Sequence, residues 1–285
     1  MEYALTVKDL CKHYPGFSLE HVSFTIPGGC IMGFIGENGA GKTTTIKAIL
    51  NLVKYQGEIQ ILGMDPHTHE REIKRNVGVV LDDSFFYNEL RPCDLPKMLQ
   101  SFYPTFDRAL YEHYLSRFAL PPKKAIKALS KGMQAKLRLV TAISHRPKLL
   151  ILDEPTSGLD PVVRSEMLDL FLDFIQDEEH SILLSSHITS DLERIADYIT
   201  FIHEGKILLT GPKDSLLERC GILRCAHSEL SQLMPEDIFS VRKHEFGCEV
   251  LLKDRQRAKQ RYKNMTIDST TLDEMMVFMV RGDAH

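Results

Sequence analysis

Short apolar runs separated by amphipathic stretches set the pattern of this chain. β-Branched and aliphatic residues cluster at Ala4 to Val7, Val22 to Ile26, Ile31 to Ile35, Glu58 to Ile61, Val77 to Leu81, Leu149 to Leu152, Ile182 to Ser185 and Ile199 to His203. Each run has the length and composition of a strand. Between many of them the apolar period becomes helical: after Ile31 to Ile35, residues Ile46, Ile49, Leu50 and Val53 recur at i, i+3, i+4 and i+7 and make one apolar face. Strands alternating with such helices predict an α/β fold. From Pro92 to about Ser144 the chain is instead rich in helix formers, punctuated only by prolines and one glycine, and reads as an inserted helical subdomain.

Beyond about Pro212 the pattern changes again. IFSVRKHEFGCEVLL reads as a hairpin with Gly247 at its turn. Thr271 and Glu274 have the spacing of a capping box, and Leu272, Met275, Met276 and Met279 form one apolar stripe. Such a stripe predicts packing into a small accessory core; Met-rich faces also adapt to partners, which leaves docking on a second chain as the other reading.

Composition bounds what this fold can do. The 285 residues, 43% apolar, suffice for one large domain or a domain with an appendage. A net charge of -4, from 35 basic and 39 acidic residues, makes no electrostatic case for binding nucleic acid or an anionic membrane surface. Cys11, Cys30, Cys93, Cys220, Cys225 and Cys248 lie far apart without a CxxC pair, which argues against a zinc knuckle or disulfide scaffold and predicts a reduced, cytosolic setting. No apolar run approaches the ~20 residues needed to span a bilayer, so action at a membrane requires a partner.

The first motif with chemistry is GENGAGKTT, comprising Gly36, Glu37, Asn38, Gly39, Ala40, Gly41, Lys42, Thr43 and Thr44, which fits GxxxxGK[ST] between an apolar strand and an amphipathic helix. Glycines let the backbone curl so that N–H groups face phosphate oxygens, and the helix start adds its positive dipole end. Lys42 then reaches the β and γ phosphates and the Thr43 hydroxyl ligates magnesium.

Two apolar strands end in paired acids. In LLILDEP, Asp153 can hold the magnesium and Glu154 can orient and deprotonate an attacking water, a role typically worth ~10²–10⁴ in rate. Taken alone, an Asp-Glu pair at a strand end is more often a helix cap or a solvated turn. In VGVVLDDSFF, Asp82 and Asp83 raise the same question of metal, turn or neither.

With these motifs in order along about residues 2–210, the chain resembles the ATP-binding subunit of ABC transporters. LSKGMQ, Leu129 to Gln134, resembles the signature usually written LSGGQ; SGLD, Ser157 to Asp160, matches the D-loop; His187 in LLSSHI matches the switch histidine; Tyr14 matches the aromatic that stacks on adenine. The resemblance implies a P-loop NTPase α/β fold of ABC ATPase type, with a mixed sheet core and an inserted helical subdomain at about 84–145, and places the ATPase domain at 1–211. Residues 212–285 lie outside it and read as a small α+β C-terminal accessory domain.

The same resemblance implies ATP and Mg²⁺ as cofactors and head-to-tail pairing, as homodimer or heterodimer. In that pairing Ser130 and Gly132 of one chain cap the γ-phosphate held by the P-loop of the other, with Gln134 and Asp160 among the nucleotide-side positions and Lys131 replacing the first signature glycine. Thr43, Asp153 and Asp82 are the implied metal positions, Asp82 standing where the family has a glutamine, while Asp83 shapes the loop. Glu154 and His187 are the implied catalytic pair. The expected function is the ATP-hydrolysing motor of an exporter, peripheral at the cytoplasmic face of the membrane on a separate transmembrane permease subunit, with no nucleic acid as partner. Two other classes compete: a soluble ABC ATPase acting on ribosome or DNA, and a P-loop kinase, which would leave LSKGMQ and His187 unexplained.

Overall fold

The computed structural model describes residues 2–81, 87 and 89–284, the last two through their backbone alone. Strands β1 (Tyr3–Tyr14) and β2 (Phe17–Pro27) form a hairpin, β3 (Ile31–Ile35) leads into α1 (Lys42–Ile49), β4 (Gln56–Ile61) pairs back on β1, and α2 (Glu70–Asn76) precedes β5 (Val77–Val80). Helices α3 (Leu95–Phe102), α4 (Arg108–Arg117) and α5 (Lys131–Ile143) make up the helical region. Then come β6 (Leu149–Asp153), α6 (Pro161–Phe174), β7 (Ser181–Ser186), α7 (Thr189–Ile195), β8 (Tyr198–His203) and β9 (Lys206–Pro212). The C-terminal part holds α8 (Lys213–Arg219), β10 (Gly221–Cys225), β11 (Ile238–His244), β12 (Gly247–Leu252), α9 (Arg255–Arg261), β13 (Thr266–Asp268), α10 (Leu272–Arg281) and β14 (Asp283–Ala284).

Among the described residues the strands form three sheets. The central one runs β5-β6-β7-β3-β8-β9 and is parallel except for β9, so it is the mixed sheet expected. Strands β3, β6 and β7 are buried along their whole length, which is why they read as unbroken apolar runs. Their side chains still alternate. Ile31, Ile35, Leu150, Leu152, Ile182 and Leu184 face the helices, whereas Met32, Phe34, Leu149, Ile151 and Leu183 meet α1 and the antiparallel sheet β2-β1-β4.

Strand β9 escaped the sequence reading because it is an antiparallel edge on which only Leu209 is buried. Its turn is set by Glu204 (φ 45°) and Gly205 (φ 75°), both left-handed as a two-residue hairpin turn demands. A Cβ on Gly205 would stand 1.8 Å from the Ser18 carbonyl oxygen, so glycine alone fits there.

The C-terminal sheet, β13-β10-β12-β11-β14, corrects two expectations. In the β11–β12 hairpin His244 pairs with Gly247, so Glu245 and Phe246 form the turn and Gly247 opens the strand. Glycine is required there for approach rather than turning: a Cβ would lie 2.7 Å from the Cys225 carbonyl oxygen. The stripe on α10 packs, but not into an accessory core. Leu272, Met275, Phe278 and Met279 join the main helical-side core with Leu192 and Ile195 of α7, and Phe278 takes the buried place expected of Met276. Leu223, Val241, Val250, Leu252 and Ile267 form the separate C-terminal core.

Candidate functional site

Strand β3 delivers the chain to a tight loop beside β8. A Cβ on Gly36 would lie 2.5 Å from the Ile202 carbonyl oxygen, and Gly41, at φ 114°, has Leu19 and Phe17 against its free face. These two glycines are therefore dictated by backbone approach and by conformation. Helix α1 follows without a side-chain N-cap, the arrangement that leaves first-turn amides for an anion. Thr43 is exposed and Thr44 half-buried, while Thr45 buries its hydroxyl and donates it to Gly41 O at 2.9 Å.

Lys42 is only 5% exposed, and its ammonium turns back over the loop. Nζ donates to Gly36 O at 2.6 Å and Glu37 O at 3.0 Å and lies 3.1 Å from Glu154 Oε1. That last contact is ionic, because Oε1 has no hydrogen-bond partner among the described residues. The other carboxylate oxygen of Glu154, Oε2, accepts from His187 Nδ1 at 2.8 Å. Glu154 thus bridges the P-loop lysine and the histidine after β7. It sits at φ 49°, in the left-handed region that non-glycine residues adopt sparingly.

Asp153, at the end of β6, is 1% exposed. Oδ1 accepts the Ser185 hydroxyl at 2.6 Å, and the same hydroxyl oxygen accepts the Glu154 amide at 3.1 Å. Oδ2 is buried without a hydrogen-bond partner among the described residues. Such an oxygen costs on the order of 1–3 kcal/mol unless a cation or water meets it. An open carboxylate oxygen together with the exposed Thr43 hydroxyl is a hard-oxygen donor set, which fits Mg²⁺. Asp82, the third expected metal position, lies outside the described residues, as do Asp83 and Ser84.

Tyr14 ends β1 half-exposed, with Lys12 Nζ 4.8 Å from its ring centroid. Together with Phe17, Glu37, Asn38, Gly39 and Ala40 it lines an open cavity of about 500 Å³ beside the P-loop. Glu37 Oε1 lies 3.2 Å from His203 Nδ1. Neither Ser185 nor His203 was singled out from the sequence. The serine pair before His187 was the available signal for the first; His203 had none beyond its place at the end of a strand.

The signature residues stand apart from this cluster. Ser130 is exposed as the N-cap of α5 and accepts from Met133 N at 3.2 Å; a Cβ on Gly132 would press on Val163 of α6 at 3.1 Å. Lys131 leans over Gly158, its Nζ 2.6 Å from where a Cβ would sit. Asp160 caps α6, with Oδ1 accepting from Val162 N at 3.1 Å and Val163 N at 3.0 Å. The Gln134 amide donates to Ile126 O at 3.2 Å and Leu129 O at 3.1 Å, bracing the loop that enters α5. Among the described residues no hydrogen bond or ion pair joins Ser130 or Gly132 to Gly36–Thr44.

A second, apolar cavity of about 400 Å³ opens between the central sheet and the helical region, lined by Ile49, Ile73, Val79, Leu99, Tyr103 and His145. His145 stacks on Tyr103 at 4.2 Å, and burial lowers its pKa to about 4 against a weaker opposing bond to Val77 O.

Comparisons with known proteins point to one family. The family model described as ABC transporter matches residues 19–157. The chain is 35% identical over 223 residues to the bacitracin transport ATP-binding protein BcrA of Bacillus licheniformis, covering 77% of this chain and 73% of that one. It is 35% identical over 209 residues to the lantibiotic transport ATP-binding protein SrtF of Streptococcus pyogenes, covering 72% and 89%. A solved structure of the ATP-binding subunit of an ABC transporter shares 31% identity and a TM-score of 0.67, over 75% of this chain and 91% of that one.

Proposed function

The chain belongs to the ATP-binding subunits of ABC transporters, and from that premise we propose that it is the ATP-hydrolysing motor of an exporter, with Glu154 as the base that activates water. The observation that carries this reading is the Glu154 carboxylate set between Lys42 and His187 at the mouth of the P-loop. Arriving β and γ phosphates compete for the Lys42 ammonium, which leaves its contact with Glu154. Oε1 is then released toward water while Oε2 stays on His187, so the carboxylate is oriented from one side and basic on the other. The Thr43 hydroxyl and Asp153 Oδ2 would hold magnesium, which would supply neutralisation of charge on the phosphates. Tyr14 forms the base-side wall of the neighbouring cavity.

In this reading residues 1–211 are the motor, with the helical subdomain at about 84–145, and residues 212–285 are an accessory unit. Ser130 and Gly132 sit away from their own P-loop, which supports their serving the site of a second subunit, with Asp160 shaping the α6 side of that junction. The apolar cavity beside the helical region supports docking of a separate permease subunit, at the cytoplasmic face of the membrane; no helix among the described residues is long and apolar enough to cross one. Relatives named for bacitracin and lantibiotic transport support a transport role; the export direction rests on the likeness of LSKGM to the branch with separate membrane subunits.

The test is Glu154→Gln, which keeps shape and removes the base. With MgATP it should bind nucleotide, lose turnover by about 10²-fold or more and sediment as a stable dimer. Wild-type turnover in that variant would remove Glu154 from the proposed role, and a monomer at saturating MgATP would remove the pairing.

A further inference from the structure

Helix α7 begins two residues after His187 and is held from three directions. Thr156, two residues beyond Glu154, donates its hydroxyl to Asp191 Oδ2 at 2.8 Å, and both residues are buried. Arg194 reaches α6, donating to Ser165 Oγ at 3.1 Å and to Asp169 Oδ1. The third hold comes from the C-terminal unit. Thr189, 6% exposed in the first turn of α7, donates its hydroxyl to Asp273 Oδ1 at 3.1 Å, and Glu193 Oε1 accepts the Leu272 amide at 2.7 Å. Each helix therefore supplies an acid to the other's N-terminal turn, above the core that Leu192 and Ile195 share with Leu272, Met275 and Phe278.

Helix α10 does not need Asp273 for its own start. Thr271 and Glu274 already complete a capping box, with Thr271 N donating to Glu274 Oε2 at 2.9 Å and Glu274 N to Thr271 Oγ1 at 3.2 Å. The next amide, that of Leu272, goes to Glu193. The Asp273 carboxylate is thus surplus to α10 and is directed at α7. On the other side, β7 is buried throughout, so the pivot between strand and helix is the short segment at His187 and Ile188. The Thr189 to Asp273 bond is the inter-helix contact nearest that pivot.

We propose that Asp273 is a positioning residue for ATP hydrolysis: through Thr189 it holds the start of α7, and with it the His187 imidazole, where Nδ1 meets Glu154. The C-terminal unit is then part of the hydrolytic machinery, acting through a side chain that bonds to the start of α7. The inference rests on the reading of Glu154 and His187 given above. Losing a hydrogen bond to a partly solvated carboxylate shifts the held population by about two- to tenfold.

The test uses the full chain at saturating MgATP. Asp273→Ala and Thr189→Val should each lower kcat by about two- to tenfold, with KM for ATP unchanged and the fold retained by circular dichroism, and the double variant should be no slower than the slower single one. Asp273→Asn keeps an acceptor oxygen and should restore most of the rate. Wild-type kcat in Asp273→Ala, additive losses in the double variant, or a lowered unfolding midpoint at unchanged kcat would each overturn the proposal. His187→Ala is measured alongside. If it leaves turnover intact, both the His187 reading and this inference fall; if it slows turnover while Asp273→Ala does not, this inference falls alone.

Discussion

Asp153 in the ATPase core and Asp237 in the C-terminal unit are both carboxylates taken out of water, 1% and 4% exposed, and the protein finishes them differently. Asp237 is closed on both oxygens. Oδ2 accepts from Tyr262 OH at 2.8 Å and Arg261 Nη1 at 2.6 Å, and Oδ1 pairs with Arg257 Nε at 3.5 Å. Asp153 takes a single hydroxyl on Oδ1 and leaves Oδ2 open, next to a glutamate whose own Oε1 has only an ionic contact. A buried charge satisfied within the chain anchors structure. One left open suits a cation or water, because the same low dielectric that penalises the open oxygen strengthens whatever meets it.

If that distinction holds, open groups govern turnover and closed groups govern stability. The largest effect is expected at Lys42. Lys42→Ala removes the buried cation that the phosphates need and should cut ATP turnover by about 10²–10³-fold, with most nucleotide affinity lost by calorimetry and the fold retained by circular dichroism. Unchanged ATP binding would break the comparison at its open end.

Next in size is a pH effect at a closed group. Folded His145 is lowered to about 4 by burial, while unfolded histidine titrates near 6.5. Between those values the unfolded chain takes a proton that the folded one refuses. Stability present in full above about pH 6.5 is therefore lost as pH falls toward 4, by about 3 kcal/mol in all. Urea unfolding of wild type against His145→Gln across pH 4–7 checks this; parallel curves would show that His145 is not the titrating group.

The smallest effect is expected at the closed carboxylate itself. Asp237→Ala takes away the acceptor of the buried Tyr262 hydroxyl, which keeps its bond from Met234 N at 2.9 Å, and lets Arg261 turn to water, so it should cost about 2 kcal/mol of stability with ATPase activity at 25 °C unchanged. A loss of activity without a loss of stability would place Asp237 on the functional side and blur the contrast.

Much of the site was legible in the chain because its parts are local. GENGAGKTT follows an apolar strand by sequence alone, and LLILDEP carries its acids at a strand end by sequence alone; capping boxes and Asp N-caps are likewise short-range. The less legible features depend on distant neighbours. Strand β9 has one buried side chain and no alternation strong enough to mark it. Gly247 resembled a turn glycine, yet the Cys225 carbonyl from another strand is what demands it. Ser185 matters because β7 lies beside β6 in register, Asp153 opposite Ser185, and Gln134 turned inward because two loop carbonyls lay within its reach.

The order and spacing of motifs, the alternation of apolar runs and the position of the two acids at the end of β6 are one-dimensional, and the sequence alone determined them along with the family. Which acid stays open and which is closed is not, because it depends on partners from Ser185, His187, Arg261 or Tyr262, brought within 3 Å by strand pairing and helix packing. The same holds for α10. Its stripe announced that it would pack, but only the tertiary structure placed it against α7, where Asp273 meets Thr189 two residues from His187.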